Sequence, residues 1–197
     1  MFPPPGNPVF SAVLLAGGKS SRMGFDKAAA VDRGQVLWRR QVETLQAIQP
    51  HELFISGKAG GPYAGQGFEV IADLHPERGP LGGLEAAISR MRTPLLCVLA
   101  VDLPWMTAAF LAALLEVAAQ NGRGVVPRNG EAFEPLAAVY PRAMLGLIAE
   151  QMEGPDYSMR RLIRRALDLD LVIPYPLAKE DRGLFGNVNS PADLTGS

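Results

Sequence analysis

The chain has 197 residues, of which 48% are hydrophobic and 20% are charged, and its formal net charge is −1 at pH 7. This length is sufficient for one domain with a sizeable buried core. The nearly balanced charge and the lack of a long basic block exclude a strong electrostatic footprint for nucleic acid, so a nucleotide is a better-matched ligand than a polynucleotide.

Cysteine, histidine and the N-terminal residues narrow the class of protein further. Cys97 is the single cysteine, so no disulfide can form, and its place in an apolar run favours a buried side chain over a reactive thiol. His51 and His75 are too few for a histidine-rich metal site, which leaves carboxylates to bind any cation. No leader pattern and no membrane-length apolar run is present. We expect a cytoplasmic protein with a flexible tail over residues 1–8 and one domain over residues 9–197.

The first structured segment is predicted to be a strand that ends in an anion-binding loop. Residues 10–15 are almost continuously apolar, as in a central parallel strand that is covered on both faces. Gly17 and Gly18 follow, and glycines there let backbone N–H groups approach phosphate oxygens. Three cations come shortly afterwards, namely Lys19, Arg22 and Lys27. The combination predicts a binding loop for a nucleoside triphosphate.

The spacing in this loop matches neither the P-loop nor the dinucleotide fingerprint. A glycine pair alone would equally suit an ordinary turn with solvated basic residues. The whole string, Leu-Ala-Gly-Gly-Lys-Ser-Ser-Arg-Met-Gly-Phe-Asp-Lys over residues 15–27, resembles the signature of nucleotidyltransferases and most closely that of molybdenum cofactor guanylyltransferases. The resemblance implies that Leu15, Ala16, Gly17, Gly18 and Lys27 contact the nucleotide.

Strands and helices are predicted to alternate along the rest of the chain. Strands are predicted over residues 53–56, 68–72, 94–101, 124–127, 134–140 and 169–175. Helices are predicted over residues 35–48, from a turn at 79–83 to 91, from an N-cap at Thr107 to about Gln120, and over 141–152 and 158–166. Asn129-Gly130 is a hairpin signal, and residues 28–34 are expected to be a short link.

This alternation predicts an α/β fold with one mostly parallel sheet and right-handed crossovers. With the resemblance, the expected fold class is a single-domain, three-layer α/β/α structure with a Rossmann-like sheet of the nucleotidyltransferase type. Four arginines of the helix at 158–166 are expected on its solvent side, namely Arg160, Arg161, Arg164 and Arg165.

Asp102 follows the most continuously apolar predicted strand and is the candidate metal ligand. Magnesium prefers one or two carboxylates together with substrate phosphates and water. The alternative is an N-cap or turn aspartate before Pro104. The family resembled has an acidic residue at the matching place, where it binds magnesium and nucleotide, which implies Mg²⁺ as the cofactor.

Asp73, Ser56 and Gly82 are further candidates for contact with the nucleotide. Asp73 ends its own predicted strand, and the resemblance implies that it contacts the nucleotide beside the turn that contains Gly82. That turn could equally be a tight entry to the next helix. Ser56 replaces the asparagine that many relatives carry, and serine lacks the paired amide groups that read a base edge. Selectivity for guanine therefore stays open.

Two later segments also resemble molybdenum cofactor guanylyltransferases. They are Glu-Pro-Leu-Ala-Ala-Val-Tyr over residues 134–140 and Phe-Gly-Asn-Val-Asn-Ser-Pro-Ala-Asp-Leu over residues 185–194. The resemblance implies that Asn187 and Asn189 face the pterin. An N-cap at Ser190, with Pro191 opening a short final helix, is compatible with the same sequence.

The resemblance implies transfer of GMP from GTP to the phosphate of molybdopterin, with Lys27, Arg22 and Asp102 in catalytic roles and pyrophosphate as the second product. GTP and molybdopterin are then the partners, with transient contacts to cofactor-biosynthesis or molybdoenzyme-maturation proteins and none to nucleic acid or membrane. The same residues would also serve cytidylyl transfer to the pterin, nucleotidyl transfer to a sugar phosphate, or a non-catalytic nucleotide-binding module.

Overall fold

A computed structural model describes residues 8–17, 27–32, 34–73 and 75–187 of the chain. Within these ranges the strands are β1 Phe10–Leu15, β2 Val31–Asp32, β3 Gln35–Val36, β4 Glu52–Ser56, β5 Glu69–Ile71, β6 Leu95–Ala100, β7 Gly124–Asn129, β8 Ala132–Phe133, β9 Ala137–Pro141 and β10 Val172–Pro176. The α-helices are α1 Leu37–Ala47, α2 Pro80–Arg90, α3 Ala108–Asn121, α4 Met144–Glu153 and α5 Met159–Asp168. Short 3₁₀ turns cover Lys27–Ala29, Pro76–Arg78 and Glu180–Phe185.

The main sheet has the strand order β10-β7-β9-β6-β1-β4-β5, with β8 paired to β7. β1 pairs in parallel with both β4 and β6, and β5 and β10 are parallel to their neighbours. β9 is antiparallel to β6 and β7, and β8 is antiparallel to β7. The prediction of a mostly parallel α/β sheet is therefore confirmed.

Helices cover both faces of this sheet, because successive side chains of its central strands point to opposite sides. In β1, Ala12 and Leu14 belong to the core beneath α1 and α3. Val13 and Leu15 belong to the core beneath α2, α4 and α5. The three-layer arrangement is thus confirmed, and Cys97 is fully buried as expected.

Several predicted boundaries were wrong around the first two helices. α1 begins at Leu37 because Gln35 and Val36 pair with β2 in a two-stranded ribbon, so residues 28–34 are more than a link. The glycines at 82 and 83 lie inside the first turn of α2, and only Gly79, with φ of 62°, forms the bend before it. Pro80 opens the helix at its first position, where a missing N–H costs nothing.

The β7–β9 region also differs from the prediction. The hairpin at Asn129-Gly130 joins β7 to the short strand β8, which was not predicted. β9 begins only at Ala137, so residues 134–136 form the connection that leads into it. β10 begins at Val172, three residues later than expected.

The predicted cap of α3 is confirmed, and α5 has a cap that was not predicted. Thr107 accepts a hydrogen bond from the N–H of Phe110 and begins α3, and Gly122 ends it in the left-handed region. Ser158 caps α5 through the N–H of Arg161. The expected final helix after Pro191 lies outside the described residues. Among the described helices, none combines the length and the apolar character needed to cross a bilayer.

Candidate active site

The candidate site lies at the carboxyl ends of β1, β4, β5 and β6. After β1 the chain adds β4 and β5 on one side and then β6 on the other. Open α/β sheets bind ligands in the crevice at such a reversal. Gly17, Asp73 and Asp102 follow the ends of β1, β5 and β6, and Ser56 is the last residue of β4, so the fold gathers these predicted residues at one edge.

Backbone hydrogen bonds hold the ends of β1, β4 and β6 together. The N–H groups of Ala16 and Gly17 both donate to the carbonyl oxygen of Ser56, at 2.8 and 3.0 Å. The N–H of Val101 donates to the carbonyl of Leu15 at 3.1 Å. In this structure the Gly17 amide is bonded within the protein, and its predicted contact with the nucleotide stays a prediction. The rest of the predicted cradle, including Gly18 and Arg22, lies outside the described residues.

Lys27 and Asp102 meet across the crevice. Lys27 Nζ lies 3.6 Å from Asp102 Oδ2, and their side chains are 23% and 27% exposed. Ala28, fully buried beside Lys27, anchors the 3₁₀ turn that carries the lysine. A partly exposed ion pair contributes about 0–1 kcal/mol, so an incoming anion and cation can separate the pair at little cost.

Gln41 of α1 supports the loop that carries Asp102. Its side chain is fully buried, and its Nε2 donates to the carbonyl oxygens of Leu103 and Ala100, the latter at 3.4 Å. These two carbonyls flank Asp102 along the chain. The helix therefore holds the loop on both sides of the carboxylate through a side chain that cannot exchange its partners for water.

Ser56 is enclosed by the start of α2. The residue is only 2% exposed, and a Cβ at Gly83 would lie 2.7 Å from its Oγ. Real Cβ atoms do not approach so closely, so glycine at 83 is what allows α2 to lie against β4. In this structure Ser56 contributes to the site through its backbone carbonyl, which accepts hydrogen bonds from the loop after β1.

Asp73 and Gly82 are packed against each other in the same way. A Cβ at Gly82 would lie 2.9 Å from Asp73 Cγ and 2.7 Å from the carbonyl oxygen of His75. Asp73 Oδ1 accepts the N–H of His75 at 2.8 Å, which closes a local turn before α2. Gly82 thus admits the carboxylate to the N-terminal end of the helix, where the helix dipole favours negative charge.

Opposing interactions act on the pKa of the Asp73 carboxyl group. Burial raises the pKa of Asp73, the hydrogen bond from the His75 backbone lowers it, and the nearby Glu77 raises it, with the net pKa above its ordinary value. A partly desolvated carboxylate gains most from a ligand that donates hydrogen bonds to it. The predicted contact between Asp73 and a nucleotide stays a prediction.

The residues just before Asn187 place it at the same edge of the sheet. Phe185 packs on Phe110 with ring centroids 5.5 Å apart, and a Cβ at Gly186 would lie 2.7 Å from the Trp105 ring. The segment that leads to Asn187 therefore rests on the chain just after Asp102, and Asn187 itself is exposed. Asn189 lies outside the described residues.

The described residues do not contain a cluster of three His, Cys, Asp or Glu side chains that could hold a metal by themselves. The donor set instead is the single carboxylate of Asp102. One carboxylate together with substrate oxygens and water matches the usual coordination of Mg²⁺. The residues present therefore fit a cation that binds together with a triphosphate.

Sequence reasoning missed two residues at this edge. Gln41 falls within the apolar stripe of α1, between Trp38 and Leu45, and a polar residue on a buried helix face was the available signal. Glu134 belongs to the segment 134–140 that resembles the guanylyltransferases, but no role was predicted for it. It lies at the entrance to β9, at the edge where β6 ends.

Known proteins are similar to this chain over most of its length. A family model described as the MobA-like NTP transferase domain matches residues 12–170. A protein of Opitutus terrae named "Probable molybdenum cofactor guanylyltransferase" is 33% identical over 93% of this chain and 92% of its own length. The molybdenum cofactor guanylyltransferase of Pseudomonas fluorescens is 29% identical over 92% of this chain and 90% of its own.

Solved structures share the fold. Molybdopterin-guanine dinucleotide biosynthesis protein A from Archaeoglobus fulgidus has a TM-score of 0.78 at 22% identity, with 93% of this chain and 94% of that chain covered. A Thermus thermophilus 2-C-methyl-D-erythritol 4-phosphate cytidylyltransferase has a TM-score of 0.66 at 16% identity, with 92% and 94% covered. The family match over most of the chain and the similarity to full-length relatives agree, and the chain belongs to the MobA-like NTP transferase family.

Proposed function

We propose that this protein transfers GMP from GTP to the phosphate of molybdopterin, releasing pyrophosphate and forming the guanine dinucleotide form of the cofactor. The observation that carries this proposal is the meeting of Lys27 and Asp102 at the carboxyl ends of the neighbouring strands β1 and β6, in a chain of this family. Relatives that match most of the chain are named for guanylyl transfer.

The nucleotide is proposed to bind on the β4–β5 side of the crevice. Leu15, Ala16, Gly17 and Gly18 lead from β1 toward the triphosphate, and Asp73 beside Gly82 accepts hydrogen bonds from the nucleoside. Ser56 shapes this side through its backbone, since its side chain is buried against α2. This assignment rests on the packing of α2 against both strand ends.

The reaction needs little acid–base chemistry from the protein. The molybdopterin phosphate is a monoester with a second pKa near 6, so it is largely dianionic near neutral pH. One of its oxygens attacks the α-phosphorus of GTP, and the bond from that phosphorus to the oxygen bridging the β-phosphate breaks. The electron pair leaves with pyrophosphate. The chain's task is to align two anions and to neutralise the charge that moves onto the leaving group.

Lys27 and Arg22 are proposed to supply the fixed positive charge for this step. Lys27 Nζ is partly exposed and lies on a turn anchored in the core, so it can contact the triphosphate without a loss of local structure. Nucleotidyltransferases generally use a divalent cation, and we propose that Asp102 holds Mg²⁺. When bound, the ion would neutralise phosphate charge. Gln41 keeps the Asp102 loop in place.

The acceptor pterin is proposed to bind on the side of β6 and the C-terminal segment, with Asn187 and Asn189 as contacts. Asn187→Ala and Asn189→Ala should each weaken molybdopterin binding and leave GTP binding near the wild-type value in calorimetry. A collapse of GTP affinity with unchanged pterin affinity would reverse the two sides of the crevice.

The function is tested by measuring nucleotide binding and pyrophosphate release with each of the four nucleoside triphosphates in the presence of Mg²⁺, with molybdopterin, with a sugar phosphate and with no acceptor. The proposal requires release that depends on both GTP and molybdopterin. Release with CTP and molybdopterin would make the protein a cytidylyltransferase. Release only with a sugar phosphate as acceptor would place it with the sugar nucleotidyltransferases, and nucleotide binding without any release would mark a binding module.

A further inference from the structure

Glu134 has a carboxylate with no ionic or hydrogen-bonding partner in the part of the chain that the structure describes. Its side chain is partly buried, and burial alone raises the pKa of Glu134 above its ordinary value. Its backbone is held in place, because its N–H donates to the carbonyl of Pro127 at 2.9 Å. The backbone of Glu134 is therefore held in place, and its carboxylate is partly removed from water without a partner among the described residues.

Arg128 is the nearest arginine on the neighbouring strand β7, and its guanidinium binds groups other than Glu134. Its Nε donates to the carbonyl of Gly130 and its Nη2 to Glu131 Oε1, each at 2.7 Å. Its guanidinium also lies over the Phe133 ring, 5.7 Å from the centroid. Arg128 thus neutralises the fully solvated Glu131, and among the described residues the less solvated Glu134 carboxylate has no ionic partner.

Glu134 lies at the same edge of the sheet as Asp102. The antiparallel register of β6 and β9 ends with Leu99 opposite Ala137, and the next residues remain linked by the bond from Ala100 N–H to the Leu136 carbonyl at 2.8 Å. Beyond this link, Asp102 follows the end of β6, and Glu134 precedes the start of β9. Both residues therefore stand at the mouth of the crevice, on the side away from β4 and β5.

A partly buried carboxylate without a partner is stabilised by a ligand that offers cationic charge or N–H donors. A metal is the weaker match, because the described residues around it do not form a cluster of three metal-binding side chains. Paired N–H donors are the stronger match, since the two oxygens of a carboxylate can accept two parallel hydrogen bonds.

We propose that Glu134 binds the ring amide N–H and the adjacent exocyclic amino group of the acceptor's pterin ring. This inference rests on the proposed function for the identity of the acceptor. Guanine presents the same pair of donors, but the nucleotide is proposed to bind beside Ser56 and Asp73, across β1 and β6 from Glu134. The geometry therefore assigns the donor pair to the pterin, and Glu134 selects the acceptor rather than the nucleotide.

The test compares two fluorescent probes that differ in one group. 6-Hydroxymethylpterin phosphate has the 2-amino group, and the matching lumazine phosphate has a carbonyl oxygen in its place. Because that oxygen and the carboxylate are both hydrogen-bond acceptors, the lumazine would lose one hydrogen bond and be repelled there. The wild-type protein should bind the pterin about tenfold to a hundredfold more tightly, as expected for hydrogen bonds to a charged group. Glu134→Gln should lose or reverse this preference, because its amide can donate to the lumazine oxygen.

Two further variants separate recognition from damage to the fold. Glu134→Asp keeps the charge and should keep the preference for pterin, with weaker affinity for both probes. Glu131→Gln alters a carboxylate that is 96% exposed in the same hairpin and should leave the preference at the wild-type value. A wild-type protein that binds both probes equally or neither, or a Glu134→Gln protein with an unchanged preference, would overturn the proposal.

A parallel pair of titrations with GTP and ITP, which lacks the 2-amino group, distinguishes the two rings. If Glu134→Gln changed the GTP-to-ITP preference and left the pterin preference intact, the carboxylate would read guanine and the assignment would be wrong. None of these titrations requires turnover. A protein that fails to transfer GMP to molybdopterin but shows the Glu134-dependent preference would refute the proposed function and support this inference.

Discussion

Lys27 Nζ lies 3.6 Å from Asp102 Oδ2, which joins the turn after the glycine loop to the end of the central strand β6. The pair brings opposite charges to the point where the strand order reverses. A triphosphate with a cation offers each residue a better partner than the other, since the phosphates attract Lys27 and the cation attracts Asp102. We therefore expect the ion pair to open when a charged substrate binds.

Lys27→Ala should lower kcat/KM for GMP transfer by about ten- to a hundredfold, because a charge-assisted contact contributes roughly 1.5–3 kcal/mol. The fold should persist, since the ion pair is partly exposed. Steady-state kinetics and thermal unfolding of the same preparation check both points. A loss below threefold would remove Lys27 from the catalytic machinery.

Asp102→Asn should abolish most Mg²⁺-dependent turnover, because it keeps the shape of the side chain and loses the charge that holds the cation. GTP binding without metal should be unchanged or slightly tighter, since the carboxylate repels the triphosphate. Asp102→Ala should behave alike. Calorimetry with and without Mg²⁺ measures the difference, and near-normal turnover of the asparagine variant would make Asp102 a structural turn residue.

Gln41→Met should release the Asp102 loop from α1 while it keeps most of the buried volume. Leaving the Ala100 and Leu103 carbonyls without this donor should lower the free energy of unfolding by about 1–3 kcal/mol. The Mg²⁺ concentration for half-maximal turnover should rise, whereas GTP affinity without metal should stay constant. A variant with lower stability and an unchanged Mg²⁺ requirement would show that Gln41 supports the fold without positioning Asp102.

Gly82→Ala should destabilise the protein by about 1–3 kcal/mol, the usual cost of overpacking, because its Cβ would overlap Asp73 and the His75 carbonyl. It should also weaken GTP binding by displacing Asp73. The control is Gly146→Ala in α4, where nothing lies within 4 Å of the added atom. That variant should be neutral or more stable by about 0.5–1 kcal/mol, since alanine favours helix. Equal unfolding temperatures for both variants would contradict the packing argument.

Glu52 should make the free energy of unfolding depend on pH in the acid range. Burial alone would raise the pKa of Glu52, but the backbone N–H of Arg92, the Ser11 hydroxyl and the Arg92 guanidinium outweigh it and lower the pKa from 4.5 to about 2. A lowered pKa means that the stabilisation is fully present above pH 4.5 and is lost as the pH falls toward 2.

Glu52→Gln should therefore lower the unfolding temperature at pH 7 and flatten its decline in acid. Glu153→Gln, which changes an exposed glutamate of α4, should follow the wild-type profile. Thermal unfolding by circular dichroism from pH 7 to pH 2.5 tests both. A Glu52→Gln profile parallel to that of the wild type would show that the carboxylate does not contribute to acid sensitivity.

The sequence alone determined the elements whose causes are local. The nearly unbroken apolar runs of β1 and β6 predict burial on both faces, and Thr107 and Gly122 cap the two ends of α3. The glycine loop and Asp102 stood out for the same reason, since each follows directly on a buried strand. These signals depend on neighbours a few residues apart, so they can be read without the fold.

Only the tertiary structure decided which distant residues meet. The antiparallel insertion of β9 beside β6 brings Glu134 to the edge of the sheet where β6 ends, and no pattern within residues 134–140 specifies a partner strand or its direction. The contacts of Gly82 with Asp73 and of Gln41 with the Asp102 loop likewise join separate elements. Such contacts depend on strand order and on how closely helices approach the sheet, which are set by packing of the whole core rather than by local propensity.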